Sequence, residues 1–282
     1  MTTLNPQQCE VCPVNKDAKL IRLGLEAGKF EFVVALAGNP NVGKSTVFNS
    51  LTGLRQHTGN WPGKTVVRAE GAFSFDGKRY KLVDLPGTYS LLSTSTDEEV
   101  ARDFILFGQP DVTVVVVDAT RLERNLNLVL QVLEITEKAV VCLNLIDEAK
   151  RHGIVVDERA LMRDLGVPVI PTAARADQGI PALLQAIAEV ATGAFVCKPK
   201  RFPIESGVLR KAISKMTAKV QLAFPSLPNP RWVALRLLEG DQRIVEAIKT
   251  GELGDLTRQT ALEKSLTGKG TKEAKDEHAH AF

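Results

Sequence analysis

The sequence predicts an α/β fold with a mostly parallel sheet, followed by a small all-α domain. Between residues 31 and 193, short β-branched, apolar runs alternate with amphipathic helical segments, the pattern of a doubly wound α/β domain. One pair of strands departs from it, because Asp76-Gly77 within EGAFSFDGKRYKLVDLPG (70–87) predicts a tight hairpin turn. We therefore expect one antiparallel strand at an edge of the sheet.

Each element is predicted from its own stretch of sequence. Apolar runs predict parallel strands, and amphipathic spacing predicts helices between them. The strands are predicted at 32–38, 112–119, 139–147 and 167–173, and the helices at 44–53, 97–108 and 180–193.

The pattern changes after CKPKRFP (197–203), which we interpret as a linker. Residues 203–266 contain no strand-like run, and Trp232 is expected to anchor a small helical core. Helices are predicted there at 208–224, 230–241 and 242–251. Residues 1–30 are a polar N-terminal extension, and residues 267–282 are a polar linker or tail that we expect to be disordered.

Composition excludes several classes of protein. The 282 residues carry a net charge of +3, far from the dense basic patch of a dedicated nucleic-acid binder. No run reaches the roughly 18 uncharged apolar residues of a membrane span. The four cysteines are scattered, which favours a reducing compartment over a disulfide framework.

The stretch GNPNVGKST (38–46) follows an apolar strand, opens a helix and fits the P-loop pattern G-x-x-x-x-G-K-[ST]. The glycines let successive N–H groups face a phosphate chain, and the helix N-terminus adds positive potential. Lys44 is expected to reach the β- and γ-phosphates, and Ser45 to bind Mg²⁺. The predicted cradle consists of Gly38, Asn39, Pro40, Asn41, Val42, Gly43, Lys44, Ser45 and Thr46.

The stretch DLPG closes the second strand of the predicted hairpin and supplies Asp84, Leu85, Pro86 and Gly87. A carboxylate at this position can hold Mg²⁺ through water, as in the Walker-B role. The N–H of Gly87 can meet the γ-phosphate. The motif is weak by itself and gains force from following the P-loop unit.

Two further stretches predict recognition of a guanine base. NLID closes a strand with Asn144, Leu145, Ile146 and Asp147, and the Asp147 carboxylate can accept hydrogen bonds from both N1–H and N2–H₂ of guanine. Adenine offers neither donor, so such a site discriminates strongly. Asn144 would tie this loop to the P-loop. In PTAAR (171–175), the N–H groups of Ala173 and Ala174 could face guanine O6.

These four elements, in this order, resemble a Ras-like P-loop GTPase of the TRAFAC class over residues 31–192. Three stretches are more specific and resemble the cytosolic G domain of the FeoB family of bacterial ferrous iron transport proteins. They are GNWPGKTVVRAEG (59–71), GTYSLLSTSTDEEVARDFI (87–105) and DATRLERNLNLVLQVLE (118–134).

The resemblance implies a GTPase with GTP or GDP, Mg²⁺ and K⁺ as cofactors and with slow, potassium-stimulated hydrolysis. It also implies that residues 203–266 form a GDP-dissociation-inhibitor or spacer domain. The chain would then be the N-terminal part of a regulator or gate of Fe²⁺ transport, at the cytoplasmic face of the bacterial inner membrane. Its implied partner is its own C-terminal membrane domain. A homo-oligomer and small Feo accessory proteins stay open as partners, and no nucleic acid is expected.

The same resemblance places switch I at GNWPGKT. Thr65, after Gly63 and Lys64, matches the threonine that closes on Mg²⁺. The carbonyls of Gly59 and Trp61, with the Asn41 side chain, match the potassium ligands. Lys44, Thr65, Gly87 and Asn41 are therefore the implied catalytic residues. Trp61 has two interpretations, a side chain that packs differently in the two loop states and a plain core anchor.

Several features stay open. Thr88 stands where Ras places a glutamine, so neither the residue that orients the attacking water nor an arginine finger is assigned. Cys9 and Cys12 are two solvated cysteines or a redox or iron sensor. Among the remaining cysteines and histidines, Cys142 is expected to be inert core, Cys197 has no assigned role, and His57 and His152 are interpreted as surface residues.

Two alternative functions remain at this stage. One is a free cytosolic Era-like GTPase that acts on RNA or ribosome assembly, although residues 200–282 show neither a basic groove nor a GxxG clamp. The other is a nucleotide-binding module without turnover, which measured phosphate release would distinguish.

Overall fold

The computed structural model describes residues 30–53, 56–92, 95–201, 206–225, 227 and 229–251. The chain divides into two compact units, residues 1–202 and 203–282, and each unit is described by itself. The Cys9–Cys12 pair and the predicted tail at 267–282 lie outside the described residues.

A seven-stranded mixed sheet forms the centre of the first unit. Its spatial order is β2-β3-β4-β1-β5-β6-β7, with β4, β1, β5, β6 and β7 parallel to one another. The strands are β1 Phe32–Gly38, β2 Gln56–Asn60, β3 Val67–Phe75, β4 Lys78–Asp84, β5 Val112–Asp118, β6 Ala139–Asn144 and β7 Val169–Pro171. The predicted α/β class, with a mostly parallel sheet and an antiparallel edge, is confirmed.

The antiparallel edge is wider than the sequence predicts. Strands β3 and β4 form the expected hairpin, and its two turn residues, Asp76 and Gly77, have φ of 50° and 70°. Strand β2 adds to the outside of β3 as a further antiparallel strand. Its sequence, QHTGN, lacks the alternation of apolar and polar residues that identifies a strand, so pairing with β3 decides its conformation.

Helices cover the sheet and follow the predicted alternation. They are α1 Lys44–Thr52, α2 Thr96–Asp103, α3 Leu122–Ile135, α4 Ile146–Arg151, α5 Glu158–Leu165 and α6 Ile180–Thr192. The helix predicted at 97–108 is α-helical only to Asp103, and Phe104–Gly108 continues it as a π-helical turn. Short 3₁₀ turns occur at Ala119–Arg121 and Ala174–Ala176.

Packing of helices on the sheet sets the position of the nucleotide-binding motifs. Strand β5 is buried along Val112–Val117, and Phe48 of α1 and Ile187 of α6 belong to the same core cluster as its alternate valines. Because parallel strands share the direction of their carboxyl ends, the loops after β1, β4 and β6 open at one edge of the sheet. Those loops carry the predicted motifs.

The second unit is helical in its described part. Its helices are α7 Gly207–Ala223, α8 Pro230–Glu239 and α9 Gln242–Thr250. Trp232 of α8 is buried, and the Arg236 guanidinium lies 5.6 Å from its ring centre. The Asn229 side chain caps α8 by accepting from the Trp232 amide at 3.2 Å. Across the described parts of both units, no helix has the length and apolar character needed to cross a membrane.

Candidate functional site

The loop between β1 and α1 forms a cradle that tolerates only particular residues. Asn41 and Gly43 both adopt positive φ, of 66° and 82°. A Cβ added at Gly43 would lie 2.4 Å from the Asn144 amide nitrogen, and one added at Gly38 would lie 2.7 Å from the Val116 carbonyl oxygen. Close packing therefore requires glycine at both positions, and at Gly43 the positive φ requires it as well.

Asn144, at the end of β6, holds three loops together. It is 1% exposed, and its amide nitrogen donates to the Val42 carbonyl at 3.0 Å. Its amide oxygen accepts from the Thr172 hydroxyl at 3.2 Å and from the Ala174 N–H at 3.1 Å. One side chain thus joins the phosphate cradle to the loop that follows β7.

Lys44 and Asp84 meet at the mouth of this cradle. The Lys44 ammonium lies 2.5 Å from a carboxylate oxygen of Asp84, and both side chains are largely buried. Burial raises the pKa of Asp84, and the neighbouring Lys44 charge opposes that rise without cancelling it. The structure therefore places a largely buried ammonium and a largely buried carboxylate side by side.

The segment after β4 lies directly against the cradle. The Thr88 N–H donates to the Gly38 carbonyl at 3.2 Å, and the Leu85 N–H donates to the Leu36 carbonyl at 2.9 Å. A Cβ at Gly87 would lie 3.4 Å from Pro40 backbone atoms. A rearrangement of residues 84–88 would therefore break contacts with the cradle and shift its backbone.

The predicted base-recognising residue Asp147 lies at the start of α4. Its side chain is 48% exposed and is 3.5 Å from the Arg151 guanidinium, one helical turn away. Leu145 precedes it with φ of 60°, and the Ile146 N–H donates to the Thr172 carbonyl at 3.1 Å. The carboxylate therefore extends from the first turn of α4, directly after the loop that the Asn144 network fixes.

Ala173 and Ala174 differ from the expectation. The Ala173 N–H donates to the Gln178 carbonyl at 3.0 Å, and the Ala174 N–H donates to the Asn144 side chain at 3.1 Å. In this structure neither amide faces outward toward a base oxygen, because each is used to close the loop.

Trp61 anchors the segment that the sequence predicts as switch I. Trp61 is 4% exposed, and its ring contacts Phe104 edge to face at 5.4 Å between centroids. Lys64, in the turn that follows, forms an ion pair of 2.5 Å with Glu99 of α2. In this conformation Trp61 is a core anchor, and two contacts dock the switch I turn against α2 and its π-helical continuation.

Four of the predicted metal donors, Ser45, Thr65, Gly59 and Trp61, are either exposed or held by backbone pairing. The residues Ser45, Thr46 and Thr65 are exposed, and Gly63 has φ of 67° within the turn before Thr65. Gly59 pairs with Arg68 in the β2–β3 ladder. The Trp61 carbonyl accepts from the Lys64 N–H at 3.0 Å.

The structure also identifies residues that the motif search did not assign. Thr172 completes the Asn144 network, Glu99 pairs with switch I, and Gln131 of α3 accepts from the Leu91 N–H at 2.6 Å. All three lie inside stretches that the sequence analysis singled out, but their partners are distant in sequence, so no local signal assigned these side chains a role. Cys142 is fully buried, which raises the pKa of its thiol to about 12 and explains its expected inertness.

Comparisons with known proteins match both units. The family described as Ferrous iron transport protein B matches residues 32–187, and the FeoB cytosolic helical domain matches residues 206–278. The Fe(2+) transporter FeoB of Escherichia coli (strain K12) is 44% identical over 215 residues. That alignment covers 75% of this chain and 27% of the relative, so the chain spans about a quarter of such relatives.

Solved structures agree with the sequence matches. The cytosolic domain of L. pneumophila FeoB superposes with a TM-score of 0.71 at 35% identity, covering 77% of this chain and 85% of that one. The cytosolic domain of T. maritima FeoB, in GDP form I, gives 0.69 at 37% identity, with coverages of 85% and 92%. With its P-loop cradle, its fold and both family matches in agreement, the chain belongs to the FeoB family and contains its G domain and its cytosolic helical domain.

Proposed function

We propose that this chain binds GTP and GDP, hydrolyses GTP and thereby regulates a ferrous iron transporter. The observation that carries the proposal is the Asn144 network, which joins a P-loop cradle to the loop after β7. Membership of the FeoB family supports it, as does the GDP form of the T. maritima relative.

Lys44 and Asp84 are the groups that would respond first to a nucleotide. Lys44 would turn from Asp84 to the β- and γ-phosphates, which carry more negative charge than one carboxylate. The released Asp84 carboxylate and the exposed Ser45 hydroxyl offer the hard oxygen ligands that Mg²⁺ prefers, so these residues fit that ion. Mg²⁺, when bound, neutralises charge on the two phosphates.

Asp147 would supply guanine specificity. Its half-exposed carboxylate can leave the long contact with Arg151 at little cost, because exposed ion pairs contribute only about 0–1 kcal/mol. The carboxylate would then accept from both N–H groups on one edge of guanine. Adenine would leave those acceptor sites unpaired.

Thr65 would join the site only when switch I rearranges. Its hydroxyl is exposed, and its neighbour Lys64 is held by Glu99. We therefore assign Thr65 to the triphosphate state, in which its hydroxyl would bind Mg²⁺, and Gly87 to contact with the γ-phosphate through its N–H. Thr65→Ala should then lower kcat while GDP affinity changes only a few-fold, and equal losses of both would contradict the assignment.

Potassium stimulation is the finer part of the proposal. Asn41 is exposed at the cradle with a positive φ, so its side-chain oxygen is available beside the phosphates. The Gly59 and Trp61 backbone is held by strand pairing and by the Lys64 N–H, so these carbonyls would contribute after the loop moves. K⁺, when bound, supplies the positive charge that an arginine finger supplies elsewhere.

One set of hydrolysis assays tests nucleotide choice and potassium together. Phosphate release from GTP and ATP is measured in potassium and in sodium at equal ionic strength. We expect turnover of GTP, none of ATP, and faster turnover in potassium. Asn41→Ala should abolish only the potassium stimulation. Asp177→Ala is the matched control, because Asp177 is also exposed with a positive φ, of 52°. Equal rates in both salts for the parent chain would remove potassium from the proposal.

The transport role concerns the longer protein that the relatives represent. We propose that the G domain spans 31–193 and that a helical domain at 203–266 favours the GDP state. The partner would be a membrane domain of the same protein, with both cytosolic domains at the cytoplasmic face. Lys44→Ala in the full-length transporter should then reduce Fe²⁺ uptake, and unchanged uptake would separate hydrolysis from transport.

A further inference from the structure

Asn39 is buried in the cradle without a hydrogen-bond partner. Its residue is 2% exposed, and within the described part of the chain neither its amide oxygen nor its amide nitrogen has a partner. Asn144, an equally buried amide in the same site, makes three hydrogen bonds. A buried polar group left unpaired costs roughly 1–3 kcal/mol. The unpaired Asn39 amide therefore destabilises this conformation of the cradle.

The chain on both sides of Asn39 contacts the segment after β4. On one side, the Gly38 carbonyl accepts from the Thr88 N–H at 3.2 Å. On the other side, a Cβ built at Gly87 would lie 3.4 Å from the Pro40 backbone. The Asn39 amide thus belongs to the stretch of cradle that faces the peptides of residues 87 and 88. Thr88 is itself buried, at 5% exposure.

We propose that Asn39 is a positioning residue for GTP hydrolysis. In the triphosphate-bound state its amide hydrogen-bonds to the peptide groups of Gly87 and Thr88. It thereby fixes the Gly87 N–H against the γ-phosphate, beside the place that the attacking water must occupy. The inference rests on the proposed GTPase function, and it gives the cradle a role in ordering residues 84–88 that phosphate binding alone does not require.

The alternative is that Asn39 has no such role and only binds a buried water. The two accounts differ in what an apolar replacement does. If the amide is unpaired, replacing it by an apolar group of similar shape is neutral or favourable for the conformation described here, and if it binds a buried water, the replacement loses those hydrogen bonds. Only the positioning role makes the same replacement slow hydrolysis.

Asn39→Leu is the informative variant, since leucine has the same branched shape without polar atoms. Asn39→Ala serves as a second variant that cannot overpack the site. Thr113→Val is the matched control, because the Thr113 hydroxyl is also buried without a partner in the described residues but lies within β5. Thermal unfolding is measured without nucleotide, with GDP affinity and single-turnover GTP hydrolysis measured in parallel.

We expect Asn39→Leu and Thr113→Val to keep or raise Tm, and Asn39→Ala to have a slightly lower Tm than Asn39→Leu because it leaves a cavity. Hydrolysis should fall about tenfold in both Asn39 variants, as the loss of one hydrogen bond specific to the reactive state implies, and should be unchanged in Thr113→Val. GDP affinity should stay within about threefold of the parent, as expected for a contact made only in the triphosphate state.

Three results would overturn the inference. Parental hydrolysis rates in both Asn39 variants would leave Asn39 as a hydrated buried group. Losses of Tm and GDP affinity in both variants, with normal turnover of bound GTP, would make it a structural residue. A parent chain that hydrolyses no GTP would overturn the proposed function and the inference with it, whereas an active parent with unaffected variants overturns the inference alone.

Discussion

Replacing Gly43 with alanine should damage the fold of the first unit in two separable ways. The positive φ of 82° is unfavourable for any residue with a Cβ, at roughly 1–2 kcal/mol. The new Cβ would also lie 2.4 Å from the Asn144 amide nitrogen, which must then move away from the Val42 carbonyl. A buried acceptor left unpaired costs roughly 1–3 kcal/mol, so the total is about 2–5 kcal/mol.

Gly53→Ala measures the cost of the positive φ alone, without a steric clash. Gly53 ends α1 with φ of 60°, and a Cβ there would meet nothing within 4 Å. Its loss should therefore be only about 1–2 kcal/mol. Urea unfolding of both variants is followed by Trp61 fluorescence in a Trp232→Phe background, so that the signal comes from the first unit alone.

A double-mutant cycle measures the cost of the clash between the new Cβ and the Asn144 amide. Asn144→Ala removes the amide that the new Cβ would meet, so the combined Gly43→Ala/Asn144→Ala variant should lose clearly less than the sum of the two single losses. Equal losses for Gly43→Ala and Gly53→Ala, or strict additivity in the cycle, would refute the close-packing argument.

Three other outcomes are expected. Asp147→Asn should shift binding from GDP toward xanthosine diphosphate, measured by competition, because the amide replaces an acceptor with a donor; an unchanged preference would contradict the base assignment. Burial raises the pKa of Tyr80, so stability should fall as pH rises above 10.0, where the unfolded phenol ionises, and Tyr80→Phe should flatten that urea-unfolding profile. Lys64→Glu and Glu99→Lys should each loosen switch I by about 0.2–1 kcal/mol, and the reversed pair should recover it in limited proteolysis at low salt.

The sequence predicted structure correctly wherever the local conformation or burial restricts which residue types can occur. The apolar runs predicted the buried parallel strands β1, β5 and β6 within a few residues, and Asp76-Gly77 predicted the hairpin turn. These signals are local, because burial on both faces and positive φ restrict composition directly.

Local signals failed where pairing across the fold decides the outcome. Strand β2 is polar and exposed, and its conformation follows from the ladder with β3. The Ala174 N–H was expected to face a base, yet it donates to Asn144, a residue 30 positions earlier in the sequence. An amide's partner cannot be read from its own tripeptide when that partner is on another strand. The Lys64–Glu99 ion pair was not predicted for the same reason, because its two residues lie on separate elements.

Asn144 shows how this site can make base binding and phosphate binding interdependent. Its amide nitrogen holds the Val42 carbonyl in the phosphate cradle, and its amide oxygen holds the Ala174 N–H in the loop after β7. Because a planar amide fixes donor and acceptor relative to each other, neither loop can shift far without breaking a buried hydrogen bond in the other. Under the proposed function, a nucleotide that orders the cradle through its phosphates would therefore also order the loop after β7. A nucleotide fragment that carries only the phosphates, or only the base, would order only one loop directly. Its effect on the other loop would pass through the Asn144 side chain.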